Sequence, residues 1–209
     1  MLDMSTCLLF LGASMALTIA PGPDNLFVIT QGITRGRKAA LLTTTGMIVG
    51  VTVHTTAAAL GISAILYSSD LAFRLLQYAG AAYLFFLAVM TFLHRNETIA
   101  FQTNGKNKTA LEMFGRGFLM NVLNPKVALF FLAFLPQFVN PDEPHRVLQM
   151  FQLGLIFMLQ GFLVFGSIAM FTGAIGNAMK KHASMQKGLS LLAMCTYIGL
   201  GLKIALEQR

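Results

Sequence analysis

Between Lys38 and Asp70 the chain carries no acidic or basic residue other than His54, and between Arg146 and Lys180 it carries none at all. Each interval is longer than the roughly 20 residues a helix needs to cross bilayer hydrocarbon. A soluble helix of that length keeps a charged or strongly polar face for water. These two intervals have no such face, so both are read as membrane spans. Apolar runs at 75–93 and 188–206, with two proline-interrupted runs at 4–33 and 117–140, bring the expected spans to six. With 56% hydrophobic and 11% charged residues and a mean hydropathy of +0.68 over 209 residues, the chain is too apolar for a soluble domain and too short for several. The expected fold is all-α, a single transmembrane domain over 1–209 with the lipid bilayer as its first partner. The net charge of +7 would point to nucleic acid only if the basic residues gathered on a soluble face. Apart from Lys126 they are read as lying in or beside short loops, and no nucleic-acid partner is expected.

Those basic residues also set the orientation, because short basic loops resist translocation. One side collects Arg35, Arg37, Lys38, Arg95, Lys106, Lys108, Arg116, Lys180, Lys181 and Lys187; the other has Arg74, Arg146, Lys203 and Arg209 together with Asp3, Asp70, Asp142, Glu143 and Glu207. The loops near 35–38, 94–112 and 180–187 are therefore expected in the cytoplasm, with both termini outside. A re-entrant hairpin at Pro21 in place of a full first span would put the N-terminus inside. The first residues lack the basic start of a secretion signal, Asp3 has the wrong sign, and the apolar pattern runs on past the prolines, so cleavage is not expected.

The longest polar stretch, 94–112, divides the chain into two halves with a common layout. Each begins with a proline-broken span and continues with two apolar spans, giving a first repeat over about 1–93 and a second over about 113–209. Three spans per half is an odd number, so the second copy must enter the membrane upside down. Inverted repeats of this kind place a site near the midplane at the repeat interface, between broken helices.

The breaks hold the chemistry. Pro21-Gly22-Pro23-Asp24-Asn25 lies in the first run and Asn124-Pro125-Lys126 in the fourth; superposing Pro23 on Pro125 puts Asp24 over Lys126. An ionised side chain at bilayer depth costs about 2.5 to 3.5 kcal/mol on insertion scales, so an acid and a base there point to function. Proline lacks an N–H and pushes the preceding residue out of the helical region, which frees backbone groups around each break. Asp24 or Asn25 can cap the new half-helix. Asp24 can instead receive an ammonium group or bind a proton, and the helix N-terminus offers free N–H groups to an anion. Lys126 sits near the middle of its run, which argues against snorkelling to the interface, and Asn121 precedes it by about a turn. An acid and a base on one cavity match a zwitterion, with carboxylate on Lys126 and ammonium on Asp24. The candidate binding residues are Asp24, Asn25, Asn121, Asn124 and Lys126, and the candidate helix breaks are Pro21, Gly22, Pro23 and Pro125.

Other polar residues in the spans carry blander readings. His54 among threonines reads as a packing residue before a proton relay, and Gln160 as either a cavity-lining or a helix-bridging group. Gly46-x-x-x-Gly50 reads first as packing within the chain and second as a contact in a homo-oligomer. Cys7 and Cys195 have no disulfide or zinc spacing. No catalytic triad, phosphate-binding glycine loop or carboxylate pair is present, so neither an enzyme nor a cofactor is expected.

At these residues the chain resembles the lysine exporter and homoserine/threonine resistance superfamily (LysE/RhtB). The resemblance runs through Ala20-Pro21-Gly22-Pro23-Asp24-Asn25, Arg35-Gly36-Arg37-Lys38-Ala39, Tyr78-Ala79-Gly80-Ala81-Ala82-Tyr83-Leu84, Asn121-Val122-Leu123-Asn124-Pro125-Lys126 and Leu135-Pro136-Gln137-Phe138. It implies a bacterial inner-membrane secondary transporter that exports small amino acids or their derivatives, driven by an ion gradient. Proton antiport with alternating access is the expected mechanism, and export of a metal ion or another small solute is the alternative.

Overall fold

The computed structural model describes residues 2–20, 22–62, 70–93, 109–140, 143–175 and 183–206. All the described elements are helical. In chain order they are α1 (Met4–Ile19), α2 (Pro23–Arg35), α3 (Arg37–Thr56, running into a π-helical turn Ala57–Ile62), α4 (Asp70–Leu93) and α5 (Ala110–Val122). Then follow α6 (Pro125–Leu129, continued by a π-helical turn Phe130–Phe134 and a 3-10 turn Leu135–Phe138), α7 (Arg146–Met170) and α8 (Ala183–Leu206).

Three stretches, Arg37–Gly61, Arg146–Met170 and Lys187–Leu206, are each long and apolar enough to cross a bilayer. The pairs α1 with α2 and α5 with α6 qualify when taken together, and they bend by 57° and 49° at their breaks. That makes up to five spans among the described residues, and α4 adds the shorter apolar stretch Gln77–Leu93. The chain is an all-helical, multi-span membrane protein.

Two boundaries differ from expectation. α5 begins at Ala110, inside the anticipated loop 94–112, because Thr109 and Glu112 form a capping box: Glu112 N donates to Thr109 Oγ1 at 3.2 Å and Thr109 N to Glu112 Oε2 at 2.7 Å. Likewise α8 starts at Ala183, so the anticipated loop 180–187 is helical over its described part. Residues 94–108 and 176–182 lie outside the described residues.

What holds the helices together is the converse of a soluble core. Leu8, Leu75, Phe86, Leu119, Leu159 and Leu191 are among the large apolar side chains left exposed, as lipid contact requires, while Asp24, Gln31, His54, Asn121, Lys126 and Gln160 are buried. α7 shows how one helix serves both sides. It buries Gln149, Leu153, Gly154, Phe157, Gln160 and Gly161 at three- and four-residue spacing, and it exposes Leu148, Leu155, Leu159 and Leu163.

Close approach comes from glycine. A Cβ on Gly46 would collide with the carbonyl of Phe114, and one on Gly117 with the carbonyl of Thr43, so α3 and α5 meet backbone to backbone. The Gly46-x-x-x-Gly50 face is therefore spent within the chain. α3 also packs on α2 and α7, α4 packs on α8, and α1 packs on α7. Phe10 of α1, Phe130 and Phe134 of α6 and Phe157 of α7 knot three of these elements, with ring centroids 4.9 Å apart for Phe130 and Phe134 and 5.5 Å for Phe130 and Phe157. α2 turns into α3 through the single residue Gly36, whose φ of 87° suits glycine.

Candidate functional site

At the first break α1 ends at Ile19 and the chain resumes helically at Pro23. Gly22 is extended (φ −159°, ψ −175°), as a residue before proline prefers, and Pro23 takes the first helical position, where its missing N–H leaves no bond unmade. α2 then carries Asp24 and Asn25 into the protein. Two carbonyls freed by the break need donors. The Asn25 Nδ2 donates to Thr18 O at 3.0 Å, and the Lys126 Nζ donates to Ala20 O at 2.9 Å from a hundred residues away. Pro21 lies outside the described residues.

At the second break Asn124 is extended (φ −79°, ψ 107°) before Pro125, and its side chain works at both ends. Asn124 Oδ1 accepts from the Lys126 N–H at 3.0 Å, capping α6, while Asn124 Nδ2 donates to Asp24 Oδ2 at 2.6 Å. An amide flip would break both bonds, so its orientation is settled by its partners. Asn121 O accepts from Asn124 N at 2.9 Å and from His54 Nε2 at 3.0 Å, and the Leu123 N–H is shared between it and Leu119 O.

The breaks are thus stitched reciprocally. The base of the second bonds a carbonyl of the first, and an amide of the second bonds the acid of the first. Asp24 and Lys126 are only 4% and 5% exposed, and they are close enough to interact electrostatically. Both line one cavity of about 10 Å³ with Thr18, Asn121, Val127 and Phe157. That is space for about one water, so an organic solute enters only if the helices part.

Hydrogen-bonding capacity in this centre is unbalanced. Asp24 Oδ1, Asn25 Oδ1, Asn121 Oδ1 and Gln160 Oε1 are buried with no partner among the described residues. The imbalance follows from the bonds that are made. The Thr18 hydroxyl gives its proton to Ser14 O at 2.8 Å, so Gln160 must donate to Thr18 Oγ1, which it does at 2.9 Å, leaving its own oxygen unused. On the other side the Lys126 ammonium, with three donors, stands 5.3 Å from the ring centroid of Tyr197. A Cβ on Gly22 would come within 3.3 Å of that Nζ, so the glycine makes room for it. Chemically this is a small buried pocket with surplus acceptors near a carboxylate and surplus donors on a lysine.

All five anticipated binding residues are buried at the two breaks, and Gln160 joins them through Thr18. Sequence reasoning missed Thr18, Tyr197 and the part played by His54. Tyr197 had a signal, being the sole aromatic residue in the 188–206 run. Thr18, whose carbonyl and hydroxyl take Asn25 and Gln160, had none beyond its nearness to the prolines. Among the described residues no three of His, Cys, Asp and Glu gather as a metal site.

The model of the LysE type translocator family matches residues 15–208, nearly the whole chain and both breaks. The chain belongs to that family. Three similar curated proteins are bacterial and are named as uncharacterized membrane proteins. An uncharacterized membrane protein of Vibrio cholerae is 27% identical over 98% of each chain. The uncharacterized membrane protein PA4757 of Pseudomonas aeruginosa is 29% identical over 90% of this chain and 88% of its own. The uncharacterized membrane protein YrhP of Bacillus subtilis is 28% identical over 98% and 100%. No solved structure gives a significant match. Membership in a translocator family makes a solute and a bilayer the partners of this protein.

Proposed function

We propose that this LysE-family protein is a secondary transporter that exports small amino acids or close derivatives across the bacterial inner membrane by proton antiport. The observation that carries the reading is the shared cavity of Asp24 and Lys126, built from two different breaks and cross-bonded between them. A zwitterion suits it: the carboxylate would take the donors of Lys126, and the ammonium would take the unused oxygens of Asp24 and Asn121. Because the cavity holds about one water, the substrate needs an opened state on each side in turn. The two bent pairs are natural moving parts, one in each inverted repeat, with the boundary between repeats in the polar stretch ahead of α5. In this scheme Asp24 carries the proton, since it must choose between an ammonium, the Asn124 amide and a proton as substrate comes and goes. The loops near 35–38, 94–112 and 180–187 face the cytoplasm. Export of a metal ion is less well served, since among the described residues no three of His, Cys, Asp and Glu gather.

The test is export of a panel of labelled amino acids from preloaded proteoliposomes, with and without an imposed proton gradient. Gradient-dependent movement of one class, with the decarboxylated amine of that class moved at least tenfold less well, is expected. Equal transport of acid and amine would remove the carboxylate from the scheme, and no movement of any amino acid would remove the exporter reading itself.

A further inference from the structure

We infer that His54 is a positioning residue for the second break: from another helix it supplies the donor that Pro125 cannot. In an unbroken α-helix the carbonyl of Asn121 would accept from the N–H of residue 125, and proline has none. The neighbouring Asn124 N–H reaches that carbonyl only in the tighter i to i+3 manner. The His54 Nε2, at 3.0 Å and buried, completes it. Asn121 O has no proton to give, so the ring nitrogen facing it must carry the hydrogen.

The rest of α3 explains how a histidine comes to stand there. Gly46, Gly50 and His54 follow at intervals of four and share one face of the helix. Gly46 meets the backbone of α5 at Phe114. Gly50 leaves room for Asn121, since a Cβ there would stand 2.9 Å from Asn121 Oδ1 and 3.0 Å from the carbonyl of Phe118. His54 arrives where α5 stops, its ring 6.0 Å from that of Phe131 and inclined by 32°. The glycine face thus ends in a hydrogen-bond donor at the place where α5 runs out of its own. His54 does not line the cavity of Asp24 and Lys126. It acts through Asn121, fixing how α5 ends and so where Asn124 and Lys126 begin α6.

A thermal double-mutant cycle on the full-length protein in lipid nanodiscs tests this. His54→Ala is expected to lower Tm by several degrees in the wild-type background. In Pro125→Ala, which restores an N–H at position 125, the same change should cost less than half as much. His54→Gln, whose amide keeps a donor, should retain most of the wild-type Tm. Equal loss in both backgrounds, or a glutamine variant as damaged as the alanine one, would overturn the inference and leave His54 as packing. Should Pro125→Ala not fold, the nitrogen-15 spectrum of histidine-labelled wild type decides, with the His54 signal assigned by its absence from His54→Gln. A proton on Nε2 is expected, and a bare Nε2 overturns the inference. These readouts need no transport. The transport consequence rests on the exporter reading: a raised KM in His54→Ala that His54→Gln restores. Failure of export and failure of the donor role are therefore separable.

Discussion

The two breaks look alike in sequence and differ in how they are satisfied. The second caps itself: Asn124 binds the start of α6 with its oxygen and Asp24 with its nitrogen, and its freed carbonyl, Asn121 O, takes His54. The first has glycine at the cap position and no side-chain cap there. Its carbonyls are served by Asn25 and, from across the protein, by Lys126. After this bonding Asn124 has both ends in use and the second break keeps one buried oxygen free, Asn121 Oδ1, whereas the first keeps two, Asp24 Oδ1 and Asn25 Oδ1. A buried polar atom left unpaired costs on the order of 1 to 3 kcal/mol, and a fold that tolerates two at one break holds capacity there for a partner. The second break reads as the framework that presents Lys126, and the first as the place that answers to ligand and proton.

Replacing the pivotal amide of each break should expose that difference. Asn124→Leu removes a cap and the bond to a buried carboxylate, and should destabilise the protein by about 2 kcal/mol in chemical unfolding from detergent micelles. Asn25→Leu forfeits one carbonyl bond and relieves one unpaired oxygen, so its cost should be about 1 kcal/mol or less. If Asn25→Leu proves the more damaging, the division into framework and responsive break is wrong. Thr109→Ala cuts the capping box at the N-terminal end of α5, the whole length of that helix away from the second break. It should cost about 0.5 to 1 kcal/mol and leave transport KM unchanged; an altered KM would mean that the end of α5 is coupled to the site. Gly22→Ala should be the mildest for the fold, within about 0.5 kcal/mol, since the added Cβ meets side-chain atoms and no backbone: Lys126 Nζ at a tight 3.3 Å and the Tyr197 hydroxyl at an ordinary 3.7 Å. It should nevertheless weaken substrate affinity several-fold by shifting that ammonium, and an unaltered affinity would detach Lys126 from recognition.

Both breaks were legible in the sequence because each announces itself locally: a proline inside an apolar run, followed at once by a charge. The burial of Asp24, Asn25, Asn121, Asn124 and Lys126 follows from that pattern and the cost of placing such groups against lipid. Their cross-bonding was not legible. The partners Ala20 and Lys126, Asp24 and Asn124, and His54 and Asn121 are separated by 106, 100 and 67 residues. Which carbonyl meets which donor is settled by how α3, α5 and α2 pack. The need itself could have been read: Pro125 strips the Asn121 carbonyl of its helical donor, so a buried donor had to come from somewhere, and His54 was the unexplained candidate. The start of α5 was legible too, in the Thr109-x-x-Glu112 box. The box lies at the C-terminal edge of the polar stretch 94–112, whose Asn, Thr and Lys residues make the whole stretch read as loop.

The central claim is that Asp24 and Lys126, from two breaks, form one site. Gradient-driven export measured in proteoliposomes for wild type, Asp24→Asn, Lys126→Ala and the double variant tests it most directly, with each variant's fold checked by thermal unfolding. One site predicts losses that do not multiply: either single variant should abolish nearly as much export as the double. A double variant whose loss equals the product of the two single losses, or either single variant exporting at the wild-type rate, would contradict it.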